Sequence, residues 1–149
     1  MTPIPRAALI LGLAGLIPFL WSVASQLSPP LAEIGLRWLG PRFVGPYVGL
    51  AYGTVILSFM SGVLWGFATR AGGAAAVGYM LSVIPALWAF FMVGGGVTSA
   101  AINLMIGFSG LLGLDWAFWR WGLAPAWWMR LRLLLTGGVV ICLGVTALG

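Results

Sequence analysis

The sequence predicts an all-α integral membrane protein, a helical bundle of about five transmembrane helices with short interfacial helices between them. Three observations carry this. Of 149 residues, 62% are hydrophobic and 6% are charged, whereas a soluble domain carries roughly 25% charged residues. Mean hydropathy is +1.11. The apolar residues come in runs of roughly 20, the length that crosses a ~30 Å hydrocarbon core as a helix. With seven arginines and two acids, the chain cannot build a water-facing surface, so acyl chains become its main solvent. The length suits one unit, and residues 1–149 are read as a single transmembrane domain.

The spans fall at about 7–26, 46–68, 74–93, 97–114 and 131–148. In the first, Arg6 precedes the apolar run, and Ser22-Val23-Ala24 resembles the small-residue end of a secretory signal; the run is read here as a membrane helix. The boundary between the third and fourth rests on Gly94-Gly95-Gly96. Each glycine costs about 1 kcal/mol in a helix relative to alanine, and the apolar stretch from Ala74 to Leu114 is too long for one crossing. A hairpin at the triple glycine satisfies both.

Two connectors are more than tethers. Ser28-Pro29-Pro30 can cap and start a short helix that Gly40-Pro41 stops. Leu31, Ile34 and Trp38 then share one face, and Glu33 and Arg37 pair at i,i+4 on the other. This is an amphipathic helix lying in the outer interface. The second connector, Asp115 to Arg132, holds five of the nine tryptophans beside Arg120, Arg130 and Arg132. Indoles and guanidinium groups favour the headgroup level, so it reads as an aromatic belt anchoring the fifth span.

The charges exclude several function classes. There is no histidine, and the single cysteine, Cys142, lies in an apolar run. An internal disulfide and a Cys/His metal or haem site are ruled out. Every charged residue is expected in a connector or at a span end, and no carboxylate–histidine chain exists for proton relay. The chain is therefore not expected to be an enzyme, with no catalytic, cofactor-binding or metal-binding residue and no cofactor. The net charge of +5 reads as topology rather than as nucleic-acid binding.

Two constellations remain. Asp115 stands near the end of the fourth span, where the helix dipole disfavours a negative charge, and Arg130 or Arg132 should pair with it as an interhelical ion pair. Small residues at helix-packing spacing, Gly49 with Gly53 and Gly62 with Gly66, mark the second span. Thr54, Ser58, Ser61 and Trp65 follow in that span. Tyr79, Ser82 and Pro85 mark the third, and Ser99, Asn103, Gly107 and Gly110 the fourth. Tyr52, Ser58, Trp65, Ser82 and Asn103 are candidates either for packing between these spans or for the lining of a pocket.

The run Tyr52-Gly53-Thr54-Val55-Ile56-Leu57-Ser58-Phe59, with Gly62 and Trp65-Gly66 after it, resembles the signature of an uncharacterised family of small multi-span membrane proteins. That family includes bacterial inner-membrane proteins and mitochondrial transmembrane protein 69. Arg6 with Gly15, Pro18 and Phe19, Ser82 to Pro85, and Trp128 to Thr136 are similar too. The resemblance implies a short multi-pass protein of the bacterial inner membrane with no agreed activity and no catalytic residues to carry over. The matching positions are Tyr52, Ser58, Phe59, Gly62, Trp65, Gly66, Ser82, Pro85, Asp115, Arg130 and Arg132.

Two functions fit these features. One is an accessory, assembly or scaffold protein of a membrane complex, whose partners are the lipid bilayer and another membrane protein or a second copy of itself. The other is a small-molecule or lipid binder or transporter with a pocket between spans 2, 3 and 4. Five crossings put Arg6, Arg70, Arg120, Arg130 and Arg132 on one side and Arg37 and Arg42 on the other, so the N-terminus is expected in the cytoplasm and the C-terminus outside. Reporter fusions at Gly149 should be active only outside; a cytoplasmic signal there overturns this orientation.

Overall fold

A computed structural model describes residues 3–149. Among them, five helical stretches are long and apolar enough to cross a membrane: Arg6–Leu27, Pro46–Ala68, Ala75–Met92, Val97–Arg120 and Trp128–Leu148. Two of the five are broken, each just before a proline. The first consists of α1 (Arg6–Ala14) and α2 (Ile17–Leu27), with Pro18 at the start of α2. After a short interfacial helix, α3 (Pro29–Trp38), and the second span, α4 (Pro46–Ala68), the third consists of α5 (Ala75–Ser82) and α6 (Ile84–Met92), with Pro85 in the first turn of α6. Proline removes a backbone donor and clashes with the preceding turn.

Such a break leaves backbone groups without partners where no water can reach them. At the second break the repair is visible: the Ala86 amide donates to Ser61 Oγ at 2.8 Å. That hydroxyl comes from α4, so mending one helix also docks it onto another.

α3 forms where the proline pair starts it, but Ser28 at its cap position makes no side-chain cap bond. Glu33 and Arg37 both face outward and make no ion pair with each other; the expected cap and i,i+4 pair give way to packing. Gly35 is buried so tightly that a Cβ there would meet both Trp21 and Val44 at 2.7 Å. Leu31, Ile34 and Trp38 are left on the surface, Trp38 being 79% exposed.

The remaining spans are α7 (Val97–Arg120) and α8 (Trp128–Leu148). α4 touches α2, α5, α6 and α7, and α7 with α8 makes the most extensive helix pair. Phe19, Leu57, Leu64, Leu104, Phe108, Leu111 and Phe118 fill the centre, each fully buried. The hairpin between α6 and α7 turns at the triple glycine, where Gly95 has φ +80°. α7 runs on to Arg120 rather than stopping at Leu114, because Leu111, Asp115 and Phe118 continue its buried face. It ends at Gly122, φ +75°, where the Leu123 amide reaches the Phe118 carbonyl and the Gly122 amide that of Trp119. The tryptophan-rich segment is thus half helix and half connector.

The two glycine pairs of α4 separate. A Cβ on Gly49 would stand 2.6 Å from Ser22 Oγ, and one on Gly53 would stand 3.0 Å from Leu104, whereas Gly62 and Gly66 have nothing within 4 Å. Gly49→Ala should therefore lower the melting temperature in detergent, costing about 1–3 kcal/mol by overpacking. Gly62→Ala in the same helix should leave it unchanged or raise it, by up to about 1 kcal/mol of helix propensity.

Candidate functional site

α8 places Trp128, Arg132 and Thr136 four residues apart on one face, and α7 presents Asp115 to that face. Arg132 Nε donates to Asp115 Oδ2 at 2.8 Å, and Trp128 Nε1 donates to Asp115 Oδ1 at 3.0 Å. Arg132 Nη2 reaches Thr136 Oγ1 at 3.4 Å. Asp115 is wholly buried and Arg132 is 5% exposed. The helical repeat turns Arg130, an exposed residue, well away from this face, so of the two candidate arginines Arg132 is the one that reaches Asp115.

This corrects the expectation that every charge sits in a connector or at a span end. Asp115 lies within α7, surrounded by protein. A carboxylate there is tolerated because both of its oxygens already accept hydrogen bonds and an arginine balances its charge.

A second polar cluster lies at the other end of α8. Ser22 Oγ donates to the Gly45 carbonyl at 2.8 Å and accepts from the Gly49 amide at 3.2 Å. The Gly45 amide donates to Ser25 Oγ at 2.8 Å, and Gln26 Nε2 donates to Thr146 Oγ1 at 3.0 Å. These bonds tie the entry to α4 and the last turn of α8 to α2. The cluster was missed in the sequence, although Ser22, Ser25 and Gln26 at i, i+3 and i+4 in an apolar helix are a readable polar stripe.

The five residues considered for a pocket between spans 2, 3 and 4 do not converge. Ser58 is exposed and donates to the Thr54 carbonyl at 2.9 Å. Ser82 is buried and donates to the Tyr79 carbonyl at 2.8 Å. Trp65 is half exposed and packs against Tyr79, ring centres 4.5 Å apart and planes tilted by 43°. Asn103 Nδ2 donates to the Met92 carbonyl at 2.8 Å, and Trp88 Nε1 donates to the Asn103 carbonyl at 2.7 Å, which staples α6 to α7. Tyr52 turns the other way, edge-on to Phe19 at 5.2 Å, into a groove beside α1 and α8. Among the described residues no three His, Cys, Asp or Glu side chains come together in a way that could hold a metal ion.

Asp115→Asn leaves Arg132 buried without its counter-charge and should destabilise the bundle by about 3–5 kcal/mol, read as thermal unfolding in detergent. Asp115→Leu combined with Arg132→Met should recover most of the loss; no recovery would mean that the pair does more than balance charge. This whole arrangement falls within residues 4–148, which match a family model described as "Protein of unknown function (DUF3429)". Transmembrane protein 69 of Xenopus tropicalis is 36% identical over 137 residues, covering 89% of this chain and 50% of the relative. Transmembrane protein 69 of Mus musculus is 29% identical over 137 residues, covering 89% of this chain and 51% of the relative. The chain thus spans about half the length of the curated relatives it matches. No solved structure matches it. The chain belongs to the DUF3429 family, a family of multi-pass membrane proteins that includes transmembrane protein 69.

Proposed function

We propose that this protein is an accessory or scaffold component of a membrane complex and works by binding a larger membrane protein rather than by catalysis. The observation that carries this reading is the contrast between its interior and its two interfacial ledges. Polar side chains buried inside hold helices together: Asp115 with Arg132, Ser61, and the Ser22–Ser25–Gln26 cluster. At one end of the bundle α3 turns Ile34 and Trp38 outward, and at the other Trp116 and Trp121 stand half exposed. Rigid aromatic surface of this kind suits a protein interface.

The setting belongs to the same proposal. The protein resides in a bacterial inner membrane with its N-terminus in the cytoplasm and its C-terminus outside, which the arginine bias supports. α3 then lies at the outer face and the tryptophan connector at the inner one.

The test is gentle extraction from native membranes followed by affinity purification. A stoichiometric protein should accompany the chain and should be lost when Ile34→Ser and Trp38→Ala are introduced together, because Ile34 is 54% and Trp38 79% exposed and neither supports the core. A homogeneous chain bringing no stoichiometric protein, or one whose partner ignores both ledges, overturns the reading.

A further inference from the structure

Beyond that reading, the bundle contains a half-enclosed groove between α1–α2, α4 and α8. Its volume is about 290 Å³, the lower end of the range for ligand pockets and far too small for a whole diacyl lipid. Phe19, Ile56, Met60 and Phe108 form its inner wall, and Leu11 and Phe59 its rim. Leu11 is 72% and Phe59 64% exposed, so the groove opens sideways between α1 and α4, toward acyl chains rather than toward water. Gly12 and Gly15 keep its α1 wall low; a Cβ on Gly12 would already stand 3.0 Å from Leu135.

The groove is not purely apolar. Arg132 and Thr136 line it near the N-terminal end of α8. A guanidinium carries five N–H donors, and Arg132 spends one on Asp115 and one on Thr136. Among the described residues no buried side-chain nitrogen or oxygen lacks a partner. Nη1 of Arg132, which bonds to neither, is therefore not sealed inside the protein, and the open space that Arg132 lines is this groove. Thr136 accepts from Arg132, which leaves its own proton to give.

The geometry points to a binding site for one acyl chain of a glycerolipid, with its ester carbonyl accepting from Arg132 and Thr136 and its methylenes running along Leu135 and Val139. Three features select this occupant. Asp115 already cancels the charge of Arg132, so the site asks for a neutral acceptor; an anionic head would leave a net negative charge against a protein wall with no free cation among its described residues to balance it. The donors lie in the second and third turns of α8, toward the end of the span where ester carbonyls meet acyl chains, and the apolar part leads inward. From Arg132 to Val139 the helix rises about 10 Å, the length of part of one chain.

The test is photolabelling of the whole protein in phosphatidylcholine vesicles containing a trace of phosphatidylcholine with a diazirine midway along one acyl chain. Label should concentrate in residues 11–19 and 132–139 rather than on the outward faces of α5 and α6. Thr136→Val should reduce it about tenfold, the value of roughly one hydrogen bond, and Gly12→Leu, which fills the groove, should reduce it severalfold. If Gly12→Leu fails to fold, Leu11→Trp, built from the exposed rim, decides instead. Even labelling of all lipid-facing helices, or labelling indifferent to these variants, overturns the site. Labelling by a diazirine fatty acid but not by the phospholipid overturns the assignment to a glycerolipid.

Discussion

Everything in this bundle follows from the absence of water around it. A backbone amide or carbonyl that loses its helical partner in hydrocarbon has to be met from within the protein. The prolines at 18 and 85 break two spans, and at the second the chain answers with a hydroxyl from a neighbouring helix: Ser61 takes the Ala86 amide. Ser25 does the same for the Gly45 amide at the start of α4. Each such bond is also a tertiary contact, so secondary structure and helix packing are specified by the same few side chains. That economy suits a solvent in which burying apolar surface gives helices little reason to associate.

The same constraint governs Asp115 and Arg132, the only charged side chains buried in the interior among the described residues. A lone acid inside a span is costly, and a lone arginine likewise; together, with the Trp128 indole on the second oxygen, they close into a neutral unit. Its neutrality makes the pair a hinge point between packing and binding. It holds α7 to α8, and it leaves hydrogen-bond donors at the edge of an apolar groove without leaving a charge there.

Much of the architecture was legible before any coordinates. Few charges and runs of apolar residues fix the number of spans, because length and hydropathy are properties a bilayer reads directly. The turn at Gly94-Gly95-Gly96 was legible for the same reason that glycine breaks helices. The end of α7 was not, since Asp115 and its tryptophans look like an interface until Arg132 is known to face them; Gly122 was the signal that marks the true stop. The choice between Arg130 and Arg132 needed the register of α8. The polar positions of α4, α5 and α7 were read as one group because sequence shows helical faces but not which way each helix is rotated. Of the two glycine pairs in α4, spacing alone could not tell that one meets Ser22 and Leu104 while the other meets lipid.

The separation of Asp115 from Arg132 by 17 positions carries a consequence for biogenesis. The ribosome delivers the acid first, so α7 reaches the insertion machinery with a carboxylate that has no counter-ion, a placement that counts against partitioning into lipid. That burden is lifted only when the next span emerges. Entry of the final two helices as a paired hairpin spares α7 that exposure, so the last segment to be synthesised eases the insertion of the one before it.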